Sequence, residues 1–151
     1  MANYLKKMIV LSIFLLLVIF SGCNMPENSS SPDNIKVEEA LKNEFSMIPI
    51  MPSSAEHKRH FTKKTELMGI SATYATNHSC KEITDFYDAQ LKKHGWQFYR
   101  EEEVTDWGKD YGGKIVRYKK GDFVATVQYA GEEADYGWTY AFGMDWGKRY
   151  E

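Results

Sequence analysis

The sequence has little of several things, and each shortage excludes something. It has no basic excess: 19 Lys and Arg stand against 21 Asp and Glu. A weakly acidic chain is a poor match for nucleic acid or anionic surfaces, which call for basic patches. It has no long apolar run. The longest, Met8 to Phe20, is 13 residues with Ser12 inside it. At ~1.5 Å per residue it covers about 20 Å, short of the ~30 Å a spanning helix must cross. Cysteine is scarce, with Cys23 and Cys80 only. His57, His60, His78 and His94 are not arranged as HExxH, and no paired CxxC occurs. No metal site and no cofactor is therefore expected. No stretch of 20–50 residues repeats, which excludes a solenoid.

What is present begins with the N-terminus. Lys6 and Lys7 precede the apolar run, and the small residues Ser21 and Gly22 follow it. Charged, apolar and small-residue zones in that order are the layout of a secretory signal peptide. Ile19-Phe20-Ser21-Gly22-Cys23 resembles the lipobox of bacterial lipoproteins. The resemblance implies that Cys23 is acylated, that cleavage falls just before it, and that residues 1–22 are removed. It implies a protein held on a cell membrane or outer membrane, facing away from the cytoplasm. Two or more acyl chains anchor stably, at ~0.8 kcal/mol per buried CH₂. Residues 24–34 are rich in Ser, Asn and Pro, so residues 23–35 are expected to be a linker with roughly 18 Å of typical reach. Cleavage removes two lysines and no carboxylate, leaving 129 residues with 17 basic and 21 acidic side chains. That length suits one domain, expected over 36–151. Cys80 then has no intramolecular partner, so the fold must rest on packing.

Periodicity predicts the elements. Residues 36–44 form a short helix with Val37, Ala40 and Leu41 on one side. Met47 to Pro52 is apolar but carries two prolines, which bar a central strand and predict a covering segment. Ser53 to His60 is polar and predicted to be loop. Residues 66–76 alternate as a strand. The clearest helix spans 80–94. Ser79 and Glu82 form a capping box, Ile83, Phe86, Tyr87 and Leu91 make one stripe, and Gly95 supplies the stop. Four strands follow, from Trp96, Lys114, Asp122 and Trp138, with glycine-rich loops at 106–113 and 131–137. Trp96, Phe123, Tyr140, Phe142 and Trp146 are expected to pack beneath the helix. The fold class is α+β: one helix on a mostly antiparallel sheet of about five strands, in the order β-α-β-β-β-β. Thr84-Asp85-Phe86-Tyr87 through Leu91 to Gly95-Trp96 resembles a segment of small bacterial lipoproteins of unknown function. That likeness implies how the helix joins the next strand and names no activity.

The candidate chemistry is sparse. Cys80 at a helix start with His78 nearby could be a nucleophile, but a catalytic pair needs a third, orienting group. The acidic runs Glu101–Glu103 and Glu132, Glu133, Asp135 read as solvated surface. Trp107 and Tyr111 in one loop, with Tyr136 and Trp138 in the other, are a candidate ligand-binding set if both loops meet at one end of the sheet. The expected function is a membrane-anchored, non-catalytic binding module, with an envelope protein or glycan as partner and no nucleic acid. A small envelope enzyme acting on cell-wall or lipid material, and an accessory subunit of an envelope complex, are the alternatives.

Overall fold

The computed structural model describes residues 32–64, 66–106 and 108–147. The signal-like segment, Cys23 and Trp107 lie outside the described residues. Two helices, α1 (Pro32–Met47) and α2 (Cys80–Lys93), cover one face of a six-stranded antiparallel sheet. The strands are β1 (Ala55–Lys64), β2 (Leu67–Ala75), β3 (Gln97–Asp106), β4 (Lys109–Lys120), β5 (Phe123–Tyr129) and β6 (Tyr140–Gly147). Their order across the sheet is β1-β2-β6-β5-β4-β3.

Cross-strand register sorts the side chains by face, because directly paired residues point the same way. Met68, Ala72 and Tyr74 of β2 stand beside Trp146, Phe142 and Tyr140 of β6. These continue to Phe123, Val127 and Tyr129 of β5. They form the helix-covered face. Leu41 and Phe45 from α1, and Ile83, Tyr87 and Leu91 from α2, close the core above it. The rings interlock: Phe45 and Tyr87 stack on Phe142, with centroids at 5.3 and 4.7 Å. Tyr74 stacks on Tyr140 at 4.9 Å, and the Tyr87 hydroxyl meets the Tyr140 hydroxyl at 3.2 Å. Full burial of a large apolar side chain contributes roughly 1.5–3 kcal/mol. Of the five aromatics expected beneath the helix, Trp96, Tyr140 and Phe142 are buried, and Phe123 and Trp146 pack partly buried against them.

α2 matches its reading closely. The Glu82 backbone N–H donates to Ser79 Oγ, and the Ser79 N–H donates to the Glu82 carboxylate at 2.8 Å. The opposite end closes on Gly95 at φ 83°, a conformation in which a Cβ is strained. Lys92 and Lys93 lie in the last turn, where cations suit the helix dipole.

Four expectations need correction. α1 is longer than residues 36–44 and takes Pro32 to Ile35 out of the expected linker. Proline's preset φ suits a first helical turn, where its missing N–H is no loss, and Asp33 complements the positive helix end. Leu41, Phe45 and Ile48, at i, i+4 and i+7, are all buried and extend its packed side toward the covering segment. Residues 55–60, read as loop, belong to β1. β1 is an edge strand exposed along almost its whole length, so it needs no apolar alternation. The stretch 106–113, read as loop, is mostly strand, with β3 running to Asp106 and β4 starting at Lys109. The sheet has six strands and the order is α-β-β-α-β-β-β-β, so the α+β class stands with one helix and one strand more.

Candidate aromatic cleft

The β3–β4 hairpin and the β5–β6 loop leave the sheet at the same end. The register shows it: Glu103 pairs with Lys114, Lys114 with Tyr129, and Tyr129 with Tyr140. Their meeting depends on a glycine. Gly131 sits at φ 110°, and a Cβ there would overlap the Tyr111 carbonyl. Only a residue without a side chain lets the two backbones approach this closely.

The far end of the β5–β6 loop is clamped by Thr139. Its Oγ1 donates to the Thr76 carbonyl at 2.9 Å and accepts from the Thr76 N–H at 3.1 Å. The Thr139 N–H donates to the Tyr74 carbonyl at 2.7 Å, and the Ala130 N–H donates to the Thr139 carbonyl at 2.9 Å. Trp138 is thus held by its neighbour's bonds to the end of β2.

Between the two loops lies a cavity of about 260 Å³. It is lined by Val104, Thr105, Tyr111, Gln128, Ala130, Tyr136 and Trp138. Three of the four aromatics singled out in the sequence therefore face one space, and the fourth, Trp107, lies outside the described residues. Tyr136 and Trp138 stack with centroids at 5.5 Å and planes at 21°. Tyr136 remains 41% exposed, so the platform is open to solvent. Lys109 Nζ stands 4.4 Å from the Tyr111 ring centre and 3.9 Å from Glu133. Gln128 and Thr105 were not anticipated. Gln128 alternates onto the sheet face that the helices leave bare, and only the register shows that it reaches the cleft.

The chemistry of this lining is aromatic and amide. It offers ring faces for stacking, an amide that both donates and accepts, and a hydroxyl. Asp110, at the start of β4, and Glu132, Glu133 and Asp135, of the β5–β6 loop, belong to the hairpin and the loop that frame it. The carboxylates outnumber Lys109, which disfavours anionic ligands. The volume is below the ~300–1,000 Å³ usual for drug-sized ligands and suits a single ring or a short side-chain segment.

The remaining candidates lie elsewhere. Cys80 is partly buried at the start of α2. Burial pushes its thiol pKa up; Lys114 pulls it down, and Glu101 and Glu132 push it further up. A raised thiol is the opposite of an activated nucleophile. His78 turns toward the chain before β1, with Nε2 3.1 Å from the Pro52 carbonyl and Nδ1 3.6 Å from Glu82. His57 and His60 are exposed on β1, and His94 caps α2. Among the described residues no three His, Cys, Asp or Glu side chains gather as a metal site. Glu101 pairs with Lys114 at 2.7 Å, and Glu102 with Arg117 and, at 3.0 Å, with Arg100. Glu101 and Glu102 of the first acidic run are thus engaged in ion pairs, two of them across to β4 and one, with Arg100, along β3 itself. Comparisons with protein-family models, with curated proteins and with solved structures each find no match, so function has to be read from the site itself.

Proposed function

We propose that this chain is a lipid-anchored lipoprotein whose α+β domain is a binding module without catalysis, and that its ligand occupies the cleft between Tyr111, Tyr136 and Trp138. The observation that carries the reading is the convergence of these rings with Gln128 and Thr105 around one open cavity. A neutral sugar ring fits this lining best. Its C–H faces stack on aromatic rings, its hydroxyls pair with an amide and a hydroxyl, and it brings no negative charge to the acidic loops. The tether on Cys23 would keep the domain where envelope glycans are met, which makes a glycan partner plausible chemistry for its location.

The test is titration with neutral N-acetylglucosamine oligomers, followed by tryptophan fluorescence. Saturable quenching with a Kd below ~1 mM, worth about 4 kcal/mol, is the expected result. Trp138→Ala should abolish it while leaving the circular dichroism spectrum intact, because Trp138 is only partly buried. A linear response up to about ten times that concentration would sink the glycan reading.

A further inference from the structure

The aromatic cleft has a cation at its rim, and the chain itself supplies it. Lys109 Nζ stands 4.4 Å from the centre of the Tyr111 ring and 3.9 Å from a Glu133 carboxylate oxygen. Tyr111 lines the cavity from the β3–β4 hairpin, and Glu133 belongs to the β5–β6 loop. One ammonium therefore bridges the hairpin and the loop. A ring face attracts a positive charge through its quadrupole, and a carboxylate beside it adds to the attraction. The Lys109 and Glu133 side chains are 59% and 73% exposed, so their own pair is weak and readily exchanged.

The rest of the rim repeats the preference. Residues 108–113 and 130–139 carry Asp110, Glu132, Glu133 and Asp135, and Lys109 is their only cation. Glu132, Glu133 and Asp135 are exposed, on the same loop as Tyr136 and Trp138. Asp110 is engaged in the hairpin, where it accepts from the Gly112 N–H at 2.7 Å. The next cations along β4 are taken: Lys114 pairs with Glu101 at 2.7 Å, and Arg117 with Glu102.

We propose that the ligand of the cleft is a sugar bearing a free amine, whose ammonium takes the place of Lys109 between Tyr111 and Glu133. This rests on the reading of the cleft as a sugar site. The ring stacks on the aromatic lining as a neutral ring does, and Gln128 and Thr105 still serve its hydroxyls. The amine adds what a neutral ring leaves unused, a positive charge for the Tyr111 face and for the loop carboxylates beside it. Lys109 swings into solvent, where a lysine ammonium is strongly hydrated, so its displacement costs little. Sugars with a free amine are thereby separated from their N-acetylated counterparts, which bring no charge. An exposed cation–π contact and an exposed ion pair each contribute little, so the preference is about threefold to tenfold in Kd.

The experiment titrates the full chain with N-acetylglucosamine oligomers and with glucosamine oligomers of the same length, and follows tryptophan fluorescence. It is run at about pH 6, where the sugar amines carry protons. The glucosamine oligomers should bind about threefold to tenfold more tightly at low salt, and the ratio should fall toward one in about 0.5 M salt. Glu133→Gln with Asp135→Asn should bring the ratio to about one. Glu39→Gln with Asp85→Asn, which removes two exposed carboxylates from the helices, should keep it. Lys109→Gln should widen the ratio, because the ligand's ammonium then has no internal rival. Equal affinity for the two oligomers, an equal loss in both double variants, or a narrower ratio without Lys109 would overturn the proposal and leave the cleft as a site for neutral sugar. Binding of the glucosamine oligomers alone would uphold the cation subsite and overturn the neutral ring of the proposed function. Binding of neither would overturn both.

Discussion

At the residue scale, the cleft depends on a position with no side chain. Gly131 combines a positive φ with a backbone approach to Tyr111 that no Cβ permits. The sequence shows a glycine-rich loop there, but not that the glycine is the point of contact between two hairpins. Gly131→Ala should therefore cost about 1–3 kcal/mol of stability, read from the urea midpoint, because a strained φ and a backbone overlap add. The same variant should weaken any ligand bound beside Tyr111 more than it weakens the core. Gly137→Ala is the useful comparison. It also has positive φ, at 72°, but a Cβ there meets nothing within 4 Å. It should show only the strain component. Equal effects of the two variants would mean that the loop contact carries no weight. Tyr111, Tyr136 and Trp138 were legible as a set because aromatics in glycine-rich loops are conspicuous. Gln128 and Thr105 were not, because a polar side chain on a strand looks like any solvent-facing one.

At the element scale, legibility follows from how much of an element is buried on one side only. α2 buries Ile83, Tyr87 and Leu91 and exposes its other side, so its stripe, caps and length could all be read. β2, β5 and β6 alternate because the helices cover one face of the sheet. β1 is held to β2 by backbone pairing and buries little of itself, so its residues carry no pattern. The extension of α1 to Met47 was hidden by Ser46 and by the prolines beyond, although Leu41 and Phe45 mark its inner side and the buried Ile48 follows directly after it. The capping box of α2 gives a clean test of element-level energetics. Ser79 Oγ accepts from the Glu82 N–H, and Glu82 accepts in return from Ser79. Ser79→Ala removes one half of this exchange and should destabilise the domain by ~1 kcal/mol in chemical denaturation. Ser79→Asp, which keeps an acceptor, should recover most of it. If alanine and aspartate behaved alike, the box would be geometry without energy.

At the scale of the whole molecule, an acidic net charge concealed a basic edge. Composition averages over the surface, whereas the strands differ one from another: β1 carries four cations against one carboxylate and β4 five against one, while β3 carries four carboxylates against one cation. The core has a comparable global property in its buried tyrosines. Burial pushes the Tyr74 pKa up to about 12 from 10.0, and Tyr87 and Tyr118 are raised in the same direction, first by burial. The Tyr87 hydroxyl bonds to Tyr140, and the Tyr118 hydroxyl donates to Asp88 at 3.0 Å, so both stay protonated in the fold. A phenol whose folded pKa exceeds its unfolded one contributes stability that is complete below the unfolded value and is lost as pH rises through the folded value. The domain should therefore hold its stability to about pH 10 and lose it progressively between about pH 10 and 12, as the unfolded chain alone ionises its tyrosines. Spectrophotometric titration at 295 nm should show a first group of exposed tyrosines ionising near pH 10. The buried group should ionise only in step with the loss of the near-ultraviolet dichroism. Smooth ionisation of every tyrosine near pH 10 with the dichroism intact would mean that Tyr74, Tyr87 and Tyr118 are open to water, and that the packing described for the centre of the sheet is wrong.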